Sequence, residues 1–229
     1  MEYRNEWKYI CSEFQLKMIE HLLSPLMQKD AHASQDGSYT IRSIYFDDIY
    51  DSFVEENESG VDRRFKIRIR IYDGSLQLIR CEVKYKEYGM TKKESCMISK
   101  ECCEKMIRNE HLTWEEAQEH KVLSLIYLWQ KTRLLKARAI VEYDRRVFIS
   151  AAGNVRITFD RNIRCSKNVE RFFEKNIYAV PILEPGEHVL EVKFDEFLPD
   201  VISNVLQRCE LMQTSFSKYY LSRVKLGGK

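Results

Sequence analysis

From Lys66 to Ile71 the chain alternates a cation with an isoleucine at every step, KIRIRI. A period of two has one backbone solution, an extended strand whose side chains point in turn to opposite faces. Lys66, Arg68 and Arg70 therefore share one face, against Ile67, Ile69 and Ile71 on the other. The same alternation aligns Glu82, Lys84 and Lys86 in CEVKYK, Arg156, Thr158 and Asp160 in NVRITFD, and Glu191, Lys193 and Asp195 in LEVKFD. The opening segment groups Glu2, Arg4, Glu6 and Lys8, and Arg145 shares a face with Tyr143. A half-solvated sheet also carries charge on one face, but such faces mix in Ser, Thr and Gln, which are sparse here. Two close cations repel by about 4 kcal/mol at an effective dielectric of about 20. Rows of them on several strands need interleaved carboxylates or a bound anion, which points to a concave polyanion site. Arginine's planar fork grips two phosphate oxygens and lysine adds a compact charge, so a thin chain of phosphates suits a basic interior.

The acidic residues gather elsewhere. Glu55, Glu56 and Glu58, then Glu101, Glu104, Glu110, Glu115, Glu116 and Glu119, fall in segments that read as helices or loops. The total charge is only +2, from 37 basic and 35 acidic residues. Near-neutrality, with the cations on strands rather than on an exposed helix, argues against a nucleic-acid partner. No apolar run approaches the roughly 20 residues of a membrane span, and MEYRNEWKYI lacks the apolar stretch of a signal peptide. Seven scattered cysteines without a CxxC pair read as free thiols in a reducing cytoplasm. His21, His32, His111, His120 and His188 show no HxH or HExxH spacing, so they read as surface or structural. No GxxxxGK precedes a helix and no GxSxG elbow is present.

Eight glycines and four prolines in 229 residues leave little material for a linker, so residues 1–229 read as one domain. After the opening strand, Ser12 caps a helix expected to reach about Lys29, with Gln15 at the capping-box position and Phe14, Met18, Ile19, Leu22 and Leu23 as its apolar face. A QDGS turn at 35–38 leads into the strand YTIRSIYFD. RRFKIRIRIY, SLQLIRCEVKYK and a strand at about 91–98 follow, joined by turns near YDGS and Gly89. The stretch 99–135 reads as helical, with Ser99 and Thr113 as caps, Glu116 completing a capping box, and Leu125, Leu128 and Trp129 as an apolar face. Strands return at RAIVEYDRRVFI, NVRITFD and HVLEVKFD, and two helices close the chain, one opened by Pro199 and one carrying FSKYYLSR. About eight strands, mostly in hairpins, give an α+β fold: a closed antiparallel eight-stranded β-barrel with flanking helices.

RNEWKY, SIYFD, RIRIYDG, EVKYKEYGMTKKES, VEYDRRVF, NVRITFD, EVKFDEFLP and FSKYY occur in this order between about residues 3 and 224. This ordered set resembles the VTC domain of the triphosphate tunnel metalloenzyme (CYTH-like) superfamily. The resemblance implies a tunnel that transfers the γ-phosphate of ATP to a growing polyphosphate chain, with Mn2+ or Mg2+ as the metal. Carried over by motif, Lys8 is similar to the basic residue of the first strand. Arg68 and Arg70 are similar to the arginines that hold the triphosphate, and Lys84 and Lys93 to tunnel lysines. Arg145 and Arg156 resemble arginines of the facing strands, Glu191 the metal-binding glutamate, and Lys218 a lysine near the tunnel end. Arg68, Arg70, Lys84, Arg156 and Lys218 thus stand as candidate catalytic residues. Lys8, Lys66, Lys93, Arg145 and Lys193 stand as candidate substrate-binding residues, and Glu191 as a candidate metal ligand.

Two departures bear on activity. Ser215 stands where eukaryotic polymerases of the family carry a second lysine, which puts turnover in question more than binding. Arg4-Asn5-Glu6-Trp7-Lys8 departs from the E-x-E-x-K opening of triphosphate hydrolases and cyclases, removing one potential metal ligand. A polyphosphate-binding module without catalysis and a tripolyphosphate hydrolase remain open alternatives. Eukaryotic relatives are fused to membrane segments. The resemblance therefore implies a cytoplasmic protein that releases its product there or docks on a separate membrane subunit, peripheral to the inner face of the membrane.

Overall fold

The computed structural model describes residues 3–30 and 37–227. Strand β1 (Asn5–Ser12) runs directly into helix α1 (Glu13–Leu23). The expected capping box sets the junction: the Gln15 amide donates to Ser12 Oγ at 3.2 Å and the Ser12 amide to Gln15 Oε1 at 3.0 Å. The helix buries Leu16, Ile19 and Leu23 while Phe14 stays exposed. It stops at Leu23, short of Lys29: Ser24 keeps helical backbone angles, but Pro25 after it has no amide hydrogen to continue the ladder. Gln28–Lys29 forms the short strand β2 instead. The turn expected at 35–38 lies largely outside the described residues.

Strand β3 (Ser38–Asp47) and helix α2 (Ser52–Glu58) precede a hairpin array of β4 (Arg64–Tyr72), β5 (Ser75–Glu87) and β6 (Met90–Met97). Helices α3 (Lys100–Ile107), α4 (Trp114–Gln118) and α5 (Lys121–Thr132) fill the middle, with Ser99 and Thr113 capping the first two as expected. The buried face of α5 is Val122, Leu123, Ile126 and Gln130, whereas Leu128 is exposed and Leu125 and Trp129 are only partly buried. Four strands and two α-helices follow: β7 (Lys136–Ser150), β8 (Val155–Ser166), β9 (Val180–Pro181) and β10 (Glu187–Phe194), then α6 (Asp200–Arg208) and α7 (Lys218–Lys225).

All pairings are antiparallel, in the order β1-β10-β8-β7-β3-β4-β5-β6, with β2 added to β7 and β9 to β8. The sheet curls strongly but is not the closed barrel the sequence suggests. Among the described residues its end strands meet at one backbone couple, Arg4 with Thr91, through N–O distances of 3.0 and 2.9 Å. Elsewhere the free edge of β1 is met by the segment before α7: Tyr9 pairs with Gln213, and the Thr214 amide donates to the Lys8 carbonyl at 2.8 Å. That segment occupies the edge a full β1–β6 ladder would need.

The outer face packs beneath helices and the inner face carries the charge. Ile67, Ile69 and Ile71 are completely buried outward, each contributing about 2 kcal/mol by removal from water. A second cluster joins α1 and α6 to β1, β8 and β10 through residues such as Leu16, Leu190 and Ile202. Strand β3 carries a cation on the outer face. Its Arg42 lies on the outer face, buried, and is satisfied by Glu142 and by the carbonyls of Phe172 and Glu174. All seven cysteines are free. Among the described residues no helix is long and apolar enough to cross a membrane.

Candidate anion-binding cavity

The concave face encloses a cavity of about 1210 Å³. Lys8, Lys66, Arg68, Arg70, Lys84, Lys93, Arg145, Arg156, Glu191, Lys193 and Lys218 all line it, so the structure brings together every residue the sequence singles out. Fifteen lysines and arginines line the space against three carboxylates, Glu6, Glu191 and Asp195. Low-dielectric walls carrying one excess sign focus the field inward, here toward an anion.

The β1–β10 ladder places Lys8 opposite Glu191 and Glu6 opposite Lys193. Lys8 Nζ lies 3.0 Å from Glu6 and 3.8 Å from Glu191, while Lys193 Nζ lies 2.9 Å from Glu191 and 3.4 Å from Glu6. Lys84 reaches across from β5 to Glu6 at 2.6 Å. Burial works against charge on Glu6, yet Lys8, Lys84 and Lys193 hold its carboxyl well below the usual carboxylate range. Burial and the nearby Glu6 are likewise overcome at Glu191 by Lys193 and Lys8. Burial opposes charge on Lys8 too, but Glu6 and Glu191 push its ammonium up to about 12. For Lys84 the balance reverses: burial pulls it down to about 7 despite Glu6.

Two further carboxylates hold cations from behind the lining. Glu82 accepts from Arg68 at 2.7 Å and from Lys93 at 2.9 Å. Asp160 takes both forks of Arg145, at 2.6 and 2.7 Å, and the Lys218 ammonium at 2.6 Å. Arg156 sits nearer the rim, donating to Asp30 at 2.9 Å and to the Tyr39 hydroxyl at 3.3 Å. Arg70 and Lys66 differ from all these. Arg70 donates to Ser43 Oγ and the Tyr143 hydroxyl, both at 3.1 Å. Lys66 donates to Ser217 Oγ at 2.6 Å and Asn57 Oδ1 at 2.8 Å. Each is an enclosed cation whose hydrogen-bond partners here are neutral.

Sequence reasoning placed Glu6, Glu82 and Asp160 on charged faces without giving them a role, and it missed Tyr45. The Tyr45 ring stacks on Tyr219 at 5.2 Å and its hydroxyl accepts from Arg68 at 3.3 Å. Burial opposes its ionisation, but Arg68 and Arg70 together draw the phenol down. Period two from Ser43 would have put Tyr45 on the inner face, yet an uncharged residue carries no signal in an alternation of charge. Arg4 has a structural use: it pairs with Asp195 at 2.6 Å beside the seam couple. Ser215 does line the cavity.

Residues 3–226 match the profile of the VTC domain family. No curated protein matches the sequence. Among solved structures, the fold is similar to the PH1819 protein from Pyrococcus horikoshii OT3, with a TM-score of 0.52 and 14% identity, covering 97% of this chain and 99% of that one. It is also similar to a candidate adenylate cyclase, bh2851, from Bacillus halodurans, with a TM-score of 0.55 and 14% identity over 94% of each chain. At such identities the likeness is one of fold alone. The family match spans nearly the whole sequence, and the chain belongs to the VTC domain family.

Proposed function

We propose that this VTC domain transfers the γ-phosphate of ATP to the end of a polyphosphate chain held in the basic cavity. The observation that carries this reading is the enclosed excess of cations on the inner strands, including Arg70 and Lys66 with neutral partners. Arg68, Arg70, Lys84 and Arg156 hold the triphosphate, and Lys8, Lys93, Arg145, Lys193 and Lys218 hold the chain. A terminal oxygen of the chain attacks the γ-phosphorus in line, and the bond to the bridging oxygen of ADP breaks. Phosphoryl transfer of this kind needs positioning and charge neutralisation rather than a covalent nucleophile.

Among the described residues no group of three or more His, Cys, Asp or Glu side chains gathers at one point. Glu6 and Glu191, however, share Lys8 and Lys193 on the cavity wall. One or two carboxylates completed by substrate phosphates is the donor set that Mg2+ or Mn2+ takes in such sites. The residues fit a cation arriving with its substrate, and Glu191 with Glu6 would hold it. An ion held there would supply positive charge against the phosphates of the substrate. The test is incubation of pure protein with ATP and Mn2+, following polyphosphate by gel and ADP by chromatography. Chains formed with matching ADP, and lost in Glu191→Gln, are expected. Absence of ATP turnover with and without a polyphosphate primer overturns the reading.

One observation favours a second reading. Ser215 lines the cavity where polymerases of the family carry a lysine, which suits a binding module that grips polyphosphate without turnover. That module would bind polyphosphate without metal, whereas a tripolyphosphate hydrolase of the same fold would release orthophosphate and build no chain.

A further inference from the structure

Most cations of the cavity arrive with a counter-ion. Lys8, Lys84 and Lys193 share Glu6, Arg68 and Lys93 share Glu82, and Arg145 and Lys218 share Asp160. Arg70 and Lys66 stand apart on the same inner face of β4, with Arg68 and its Glu82 partner between them. Four residues of strand separate them by about 13 Å. Two enclosed positive charges with neutral partners mark the two places where an anion gains most, because the anion replaces an absent counter-charge rather than competing with a resident one.

Lys66 is the more exposed to this effect. Its ammonium touches Asn57 of α2 and Ser217, the cap of α7. Burial, with Lys8 of β1, Lys84 of β5 and Arg64 of its own strand facing it, holds the ammonium well below the ordinary lysine range. Glu6 is the carboxylate that opposes this, and three other lysines already claim it. Linear phosphates are joined through single bridging oxygens, so a triphosphate seated at Arg70 does not span ~13 Å along the strand. A longer chain does.

We propose that Lys66, with Asn57 and Ser217, is a second phosphate subsite that selects long polyphosphate chains over triphosphates. The proposal rests on the polyphosphate reading of the cavity and adds a residue that reads chain length. A chain that reaches Lys66 replaces its neutral acceptors with phosphate oxygens and supplies the counter-charge that Asn57 and Ser217 do not. Tripolyphosphate, held at Arg70, leaves Lys66 as it is.

The test is calorimetric titration, without nucleotide or metal, of wild type, Lys66→Met, Lys66→Arg and Arg70→Ala with tripolyphosphate and with long-chain polyphosphate. The expected result is that Lys66→Met weakens the long chain by about ten-fold or more and leaves tripolyphosphate unchanged. Lys66→Arg should restore the long chain, and Arg70→Ala should weaken both ligands. Wild type binding both ligands with Lys66→Met unaltered overturns the subsite alone, as does an equal loss for the two ligands. Wild type binding neither ligand overturns the polyphosphate reading and the subsite with it.

Discussion

Three ammonium groups converge on Glu6, and that convergence offsets much of the cavity wall's own charge. Removing the carboxylate in Glu6→Gln strands Lys84 and leaves Lys8 and Lys193 with Glu191 alone, and breaking one side of a buried ionic set costs about 3–5 kcal/mol. A drop in melting temperature is expected, and added polyphosphate should recover it, since a ligand that binds only the native state stabilises it. Lys84 supplies a pH dependence. Its ammonium is charged below about 7 and neutral above, and a phosphate stabilises the charged form. Affinity measured from pH 6 to 9 should therefore fall as pH rises, and Lys84→Met should flatten the profile. Asp47 acts with the same sign of linkage, but on stability. Burial raises its carboxyl to about 6, while backbone amides and the Tyr219 hydroxyl donate to it. Between the unfolded value near 3.8 and about 6 the native state binds more protons, so this residue's contribution falls with rising pH by up to about 3 kcal/mol and is flat above. Denaturant titrations of wild type against Asp47→Asn from pH 4 to 7 should show that difference.

Among the elements, the tight turn between β7 and β8 is the most sensitive point. Gly153 has φ +66, and a Cβ there would lie 2.4 Å from the Phe197 carbonyl oxygen. Backbone strain of this kind costs about 1–3 kcal/mol, so Gly153→Ala should lower the melting temperature while leaving the cavity residues in place. The strands were legible in the sequence because charge and isoleucine alternate without interruption from Lys66 to Ile71, and the capped helix starts at Ser12 and Thr113 were legible because side-chain caps are local chemistry. Helix α1 was overextended because its apolar spacing continues past Pro25. The apolar stripe on α5 was misplaced because Leu128 and Val122 look alike until the neighbouring elements are known. Arg42 shows the same limit: what covers its face is Phe172 and Glu174, about 130 residues away in sequence.

At the scale of the whole molecule, a net charge of +2 conceals an interior that is strongly positive. Pairing partners could be guessed strand by strand, but the grouping of cations around Glu6, Glu82 and Asp160 depends on sheet register and curl, which no local pattern encodes. Because charges near the rim are screened by salt with a Debye length of about 8 Å at physiological ionic strength, the association rate for polyphosphate should fall steeply with added salt. Stopped-flow measurements across an ionic-strength series check this, and the dissociation rate should change less. The seam between Arg4 and Thr91 has a mechanical meaning as well. A sheet laced along its full length behaves as a hoop of fixed girth, whereas one fastened by a single couplet behaves as a cuff with a clasp. Its circumference can give where it is clasped, so a swelling load inside is borne first by two peptide units and by the Arg4–Asp195 pair beside them.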